Sequence, residues 1–177
     1  MELNECINTR RSIRKYQEKQ VSKDTILEII KAAQMAPSWK NSQVSRYYVV
    51  TSEEKVKLVK ECLADFNQNN TKDAPVIIVS TVVNGRSGFD REGNYETHLK
   101  DGFQFFDSGL QVQNLCLKAH DLGLGTLIMG LYDEAKIREI LEIQKEQIIV
   151  AVLGLGYPDI EPVAPQRKDI EEIVKFS

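Results

Sequence analysis

The chain has 177 residues, 42% hydrophobic and 28% charged, with a formal net charge of -3. That is enough for one compact unit with a real core, leaves no room for an extended disordered segment, and lacks the positive excess that non-specific nucleic-acid binding needs. Apolar runs such as Val76-Ile77-Ile78-Val79 are far too short to cross a bilayer, and charges stand where a signal peptide would be apolar. We therefore expect a cytoplasmic protein with a single domain over residues 1–177 and neither a membrane nor a nucleic-acid partner. Cys6, Cys62 and Cys116 are odd in number and form no CxxC pair, so reduced, buried thiols are expected.

In chain order, Glu2 to Thr9 can form a short helix, and the basic segment Arg10-Arg11-Ser12-Ile13-Arg14-Lys15-Tyr16 follows it. Ser22 is a good N-cap with Asp24 and Thr25 behind it. Ile26, Leu27, Ile29, Ile30 and Ala33 then recur at helical spacing until Pro37 stops the run. The polar stretch Pro37-Ser38-Trp39-Lys40-Asn41-Ser42-Gln43 leads into a β-branched and aromatic strand, Arg46 to Thr51. Ser52 opens a second amphipathic helix reaching about Phe66, and Asn67-Gln68-Asn69-Asn70 is expected to break it, because Asn prefers turns to helix interiors.

Pro75 opens the buried-looking strand Val76 to Val82, and Asn84 to Asp101 has no periodicity. Loops of that length inside compact proteins are usually lids or binding segments. Phe103 to Leu122 reads as the longest helix, apolar on more than one face and ended by Gly123. Such a helix should lie against a sheet and against a partner chain as well. The strand Leu124 to Met129, a short helix Asp133 to Leu141 and the strand Ile148 to Leu155 complete the core. The tail from Pro158 to Ser177, with Pro162 and Pro165, is expected to reach outward before a last apolar segment. Periodicity predicts an αβ sandwich and leaves the strand order open.

Five constellations could carry chemistry. Arg10, Arg11 and Arg14 with Ser12 between them suit a phosphate or another planar anion, although short basic runs are commonly solvated surface. The donors and acceptors of Ser38, Asn41, Ser42 and Gln43 suit the edge of an uncharged heterocycle, or simply make a capped turn. Asn67 and Asn70 precede a buried strand and could equally be caps. Glycines around Leu124 to Gly130 could let a flat ring approach the backbone, or serve packing. Gln166-Arg167-Lys168 offers a further anion contact in the tail.

The negatives restrict the chemistry. Gly123-Leu124-Gly125 and Gly154-Leu155-Gly156 lack the third glycine of GxGxxG, no Walker A sequence occurs, and no GxSxG elbow is present. His98 and His120 are too far apart for a helical ligand pair, so no metal is expected.

Taken together and in this order, the segments resemble the FMN-dependent nitroreductase family. The resemblance runs through Arg10-Arg11-Ser12-Ile13-Arg14, Ala36-Pro37-Ser38-Trp39-Lys40-Asn41-Ser42-Gln43, Asp73-Ala74-Pro75 before a Val/Ile strand, Asp107 to Gly125, Leu153 to Pro158, and Arg167-Lys168. It implies an α+β fold with a central, mainly antiparallel sheet flanked by helices. It also implies an intertwined homodimer with an FMN at each interface site.

By the same resemblance, Arg10, Arg11, Ser12 and Arg14 would bind the flavin of their own chain, Arg10 at the phosphate and Arg14 nearer the pyrimidine edge. Pro37, Ser38, Trp39, Asn41 and Gln43 would reach the partner's flavin. Asn67 would be the flavin-edge amide with Asn70 beside it, Met129 and Gly130 would face the reactive N5, and Arg167 would be a second phosphate cation. No side chain need be catalytic, because the flavin carries the chemistry. NADH or NADPH would donate electrons transiently, and nitroaromatics, quinones or similar small molecules would accept them in a ping-pong cycle. An ene-reductase, a reductive dehalogenase or a non-catalytic flavin-binding protein are the alternatives. The sequence departs from the family where Val44-Ser45 follows Gln43 in place of Pro-Trp, where Asn70 replaces a common lysine, and at Pro165.

Overall fold

The computed structural model describes residues 1–177. Helix α1 (Leu3–Thr9) ends at Arg10, whose N–H caps back to the Cys6 carbonyl. Helix α2 (Lys23–Gln34) begins where Ser22 Oγ accepts the Thr25 N–H at 3.1 Å, a cap that contributes about 1 kcal/mol. The chain then makes one 3-10 turn, Trp39–Asn41, and enters strand β1 (Ser45–Val50).

Helix α3 (Glu53–Glu61) stops well short of Phe66, and Asn67 to Asn70 lie inside a separate helix, α4 (Asp65–Thr71), rather than in a break. The cause is tertiary pairing. The Cys62 carbonyl accepts the Asp133 N–H at 2.7 Å, the Ala64 N–H reaches the Leu131 carbonyl at 3.2 Å, and Leu63 bridges Tyr132. Backbone groups that would have continued α3 are thus satisfied by a distant segment, and the chain re-enters helix one step later. Within α4, Thr71 Oγ1 donates to the Asn67 carbonyl at 2.7 Å.

Strand β2 (Val76–Val83) is followed by the irregular segment 84–101, then by helix α5 (Gly102–Asp121), which ends before Gly123 at a φ of 76°. Strand β3 (Gly125–Met129), helix α6 (Glu134–Ile140), strand β4 (Gln147–Gly156) and a final turn, α7 (Ile170–Ile173), complete the chain. The sheet order is β1-β2-β4-β3 and every pairing is antiparallel, so the fold is α+β as expected.

The two central strands are covered on both faces. Because successive strand residues point to opposite sides, Val76 and Ile78 pack with Ile26, Ile29, Leu115 and Ala119 beneath α2 and α5. Ile77 and Val79 pack with Val56, Val59 and Ile137 beneath α3 and α6. The edge strands are left to hold the site.

Candidate functional site

The basic segment lies along the outer edge of β3. Ser12 bridges Thr126 in parallel, the Ile13 N–H donates to the Thr126 carbonyl at 2.9 Å, and the Ile13 side chain covers Gly125. A Cβ on Gly125 would come within 2.3 Å of Ile13 Cγ1, so the glycine is what allows this approach. On an antiparallel edge strand the outward-facing backbone groups alternate. With Thr126 turned outward, Ile128 presents its backbone groups to the same open edge, and Gly130 follows just beyond the end of the strand.

Gly130 has open space where a Cβ would be, and Ile128 is half exposed. Met129, by contrast, turns its side chain into the core beneath α3 and α6. Its contribution to this edge is therefore backbone.

The far end of the edge is closed by α4. The Ala64–Leu131 hydrogen bond sets the α4 N-terminus beside the chain leaving β3, which carries Asn67 and Asn70 to the same end of the sheet. The Asn67 residue is buried, and its carboxamide enters no side-chain hydrogen bond within the chain, although its backbone carbonyl is satisfied.

The cations are free of carboxylates. None of Arg10, Arg11, Arg14 and Arg167 takes part in an ion pair. Arg11 Nη1 donates to the Asn8 and Arg10 carbonyls at 2.7 and 2.8 Å, so that side chain helps to close α1. Arg14 is exposed and holds only the Ser12 carbonyl, at 3.3 Å.

The second group of residues is built differently. Pro37 and Ser38 lead into a loop in which Lys40, Asn41 and Gln43 have φ of 44°, 56° and 49°. Each left-handed residue other than glycine costs roughly 1–2 kcal/mol, least for Asn, so this loop needs outside support. Part of it is local, since Ser38 Oγ accepts the Gln43 N–H at 3.1 Å. Most is supplied by Asp107, a buried residue of α5. Its carboxylate accepts the Trp39 N–H at 3.0 and 3.1 Å, the Ser42 hydroxyl at 3.4 Å and the Ser87 hydroxyl at 2.7 Å. The Trp39 ring packs on Phe103 with centroids 4.7 Å apart, and Lys40 pairs with Glu96.

Sequence reasoning assigned Asp107 no role at the site. The readable signal was the spacing of Gln104, Asp107, Ser108 and Gln111, all buried, which places a polar stripe on one face of an otherwise apolar helix. The stripe meets polar partners: Tyr47 Oη donates to Gln111 Oε1 at 3.2 Å and Ser80 pairs with Ser108 at 3.4 Å. Gln104 and the Trp39 indole N–H have buried polar atoms with no partner in the chain.

The two groups sit at opposite ends of α5. The loop 37–43 meets its beginning through Asp107, and Thr9 Oγ1 meets its end through His120 Nε2 at 2.7 Å. The intervening helix is about 20 Å long at its usual rise. Arg167 joins neither group; it stands in an exposed tail with no side-chain hydrogen bond.

The site thus combines a free stretch of strand edge, guanidiniums that form no ion pair and a buried carboxamide with no side-chain hydrogen bond. The sequence model of the Nitroreductase family matches residues 7–74 and 63–157. The chain belongs to that family. A relative in Methanothermobacter thermautotrophicus, named by provisional assignment NADH dehydrogenase/NAD(P)H nitroreductase, is 32% identical over 166 residues, covering 92% of this chain and 80% of its own. The FMN reductase [NAD(P)H] of Bacillus subtilis is 27% identical over 168 residues, covering 88% of this chain and 67% of its own. Among solved structures, a nitroreductase family protein from Clostridium novyi NT superposes with a TM-score of 0.77 at 27% identity, covering 89% of this chain and 87% of that one.

Proposed function

We propose that residues 1–177 form one cytoplasmic, FMN-dependent oxidoreductase unit that works as a homodimer, takes electrons from NADH or NADPH and passes them to nitroaromatics, quinones or similar small acceptors. The observation that carries this reading is the outer edge of β3 beyond Thr126, where the basic segment joins the strand through Ser12 and Ile13 and where Gly130 leaves open space. Family membership and the name of the Bacillus subtilis relative support the choice of FMN and NAD(P)H.

The residues fit the cofactor. Arg10, at the helix end, is suited to hold the phosphate by charge-assisted hydrogen bonds, with Ser12 beside it and Arg11 completing the positive field. Open space over Gly130 admits a planar ring, and Asn67 supplies an amide for its polar edge. When bound, FMN supplies a hydride acceptor at N5 and so carries the redox chemistry. Arg14, nearer the pyrimidine edge, would place a fixed positive charge there and so favour electron uptake by the bound cofactor. With no dinucleotide fingerprint in the chain, nicotinamide and acceptor would use the same cleft in turn.

A second copy completes the site. Because about 20 Å of helix separates the loop 37–43 from Arg10 in one chain, the Pro37, Ser38, Trp39, Asn41 and Gln43 groups are assigned to the partner's cofactor. The tail supports exchange between copies. Beyond Pro162 every residue is exposed, Val163 at 93% and Phe176 at 99%, and such apolar exposure calls for a covering surface. Arg167 would reach the phosphate from that tail.

The test is an absorption spectrum of the purified protein after FMN addition, followed by anaerobic titration with each nicotinamide. A bound flavin that bleaches on titration, and steady NAD(P)H consumption once a nitroaromatic or quinone is added, are the expected results. Bleaching without turnover would leave a flavin-binding protein, and turnover only with activated alkenes or halides would move the acceptor class. A protein that takes up no FMN would end the reading.

A further inference from the structure

We propose that Asp107 is the positioning residue for the cofactor loop, and that through Ser87 it also fixes the segment 84–101 to that loop, so that the two move as one body. The proposal rests on the reading that Asn41 and Gln43 contact the flavin.

Three observations converge on it. Asp107 is 1% exposed, and no Lys or Arg pairs with it. Its hydrogen-bond partners instead come from two loops: the Trp39 N–H and Ser42 hydroxyl from one, the Ser87 hydroxyl from the other. A buried carboxylate is retained at a cost unless its hydrogen bonds are worth having, and here they land on the one loop that needs holding. Between Trp39 and Gln43 the backbone turns left-handed at Lys40, Asn41 and Gln43, a conformation that these residues keep only when their surroundings over-determine it.

The other end of the connection is equally specific. Ser87 is buried beside Gly88, whose φ is 86° and where a Cβ would lie 2.4 Å from the Lys100 carbonyl oxygen. The two ends of the 84–101 segment are thereby pinned together. The Glu96 N–H donates to the Gly88 carbonyl at 2.9 Å, and the Glu96 carboxylate holds Lys40 Nζ at 2.5 and 2.6 Å. The segment therefore touches the cofactor loop at a buried point, through Asp107, and at an exposed one, through Lys40. Asp107 acts on the flavin only through Asn41 and Gln43, whose amides it aims.

The experiment uses the full chain with Asp107→Asn, which keeps the volume but puts a donor where an acceptor was. A Ser108→Ala variant removes a buried hydroxyl on the same helix without touching the loop. We expect Asp107→Asn to weaken FMN binding by about 30-fold, the effect of losing a hydrogen bond to a charged group. The midpoint potential of the remaining flavin should move, and trypsin should cut the flavin-free protein after Lys40 several-fold faster. Ser108→Ala should lower stability while leaving all three readouts at parental values.

If Asp107→Asn fails to fold, the Ser42→Ala, Ser87→Ala double variant removes two of the three donors and is read the same way. Parental FMN affinity, potential and cleavage rate in the Asp107 variant would overturn the proposal. If the parent binds no FMN but Asp107→Asn still speeds cleavage after Lys40, the positioning role stands and the flavin assignment falls.

Discussion

Arg10 and His120 meet where α1 ends on α5. Burial first, and then the charges of Arg10 and Arg11, push the His120 imidazole below its ordinary value of 6.5, while Asp121 and Glu5 act the other way. The folded chain therefore favours neutral His120, and the unfolded chain binds the proton first as pH falls. This contribution to stability is complete above about pH 6.5 and is lost as pH falls through the depressed folded value. An anion on Arg10 would offset the cations, so FMN binding should raise the His120 value towards 6.5. Following the His120 Cε1 proton by NMR, assigned with His120→Gln, checks this, and an unchanged titration on FMN addition would place the phosphate elsewhere. Arg10→Ala should in turn weaken FMN retention by about 10- to 100-fold, as loss of a charge-assisted hydrogen bond does, with thermal unfolding nearly unchanged. Equilibrium dialysis beside a melting curve separates the two effects. The cations were legible because guanidinium chemistry is carried by the residue itself. Asp107 was not, since its partners at Trp39 and Ser87 lie far off in the chain.

Among the elements, those with local causes were legible and those with distant causes were not. Ser22 caps α2 as its hydroxyl predicts, and Gly123 ends α5 with positive φ. The boundary between α3 and α4 was misplaced because Cys62 and Ala64 pair with Asp133 and Leu131, a contact to which no helical or strand periodicity refers. The same correction changes what Asn67 means, from a turn residue to a buried helical one with a free carboxamide. The junction of the basic segment with β3 gives the sharpest test at this scale. Gly125→Ala puts a methyl against Ile13, and overpacking of this kind costs about 1–3 kcal/mol. Ile13→Ala removes the Cγ1 and Cγ2 contacts at 2.3 and 3.1 Å but keeps Cβ at 2.7 Å, so the double variant should recover part of that stability. FMN affinity should fall in the single variant and recover in part in the double one. Denaturant unfolding and flavin titration across the four-protein cycle measure the coupling, and additive effects would deny the packing described.

At the scale of the whole molecule, one chain leaves three things unfinished: two sets of polar residues at opposite ends of α5, an unpaired edge on β1, and a tail whose apolar side chains face outward. Periodicity exposed the tail through Pro162 and Pro165 and the excess apolar surface of α5, where Phe105 and Phe106 are exposed at 39% and 57%. It could not give the sheet order, because pairing between β2 and β4 depends on contacts far apart in sequence. A second copy that exchanges tails would cover the apolar residues and bring each loop 37–43 to the other chain's Arg10. Deleting Ile160 to Ser177 separates folding from assembly. The sheet and both core clusters lie outside the deleted segment, so cooperative unfolding should persist. Sedimentation should then report a monomer in place of a dimer. FMN binding should be lost together with the dimer, since the shortened chain lacks Arg167 and cannot recruit its partner's loop. A truncated chain that remains a dimer and keeps its flavin would locate the interface on α5 alone, with the tail a bystander.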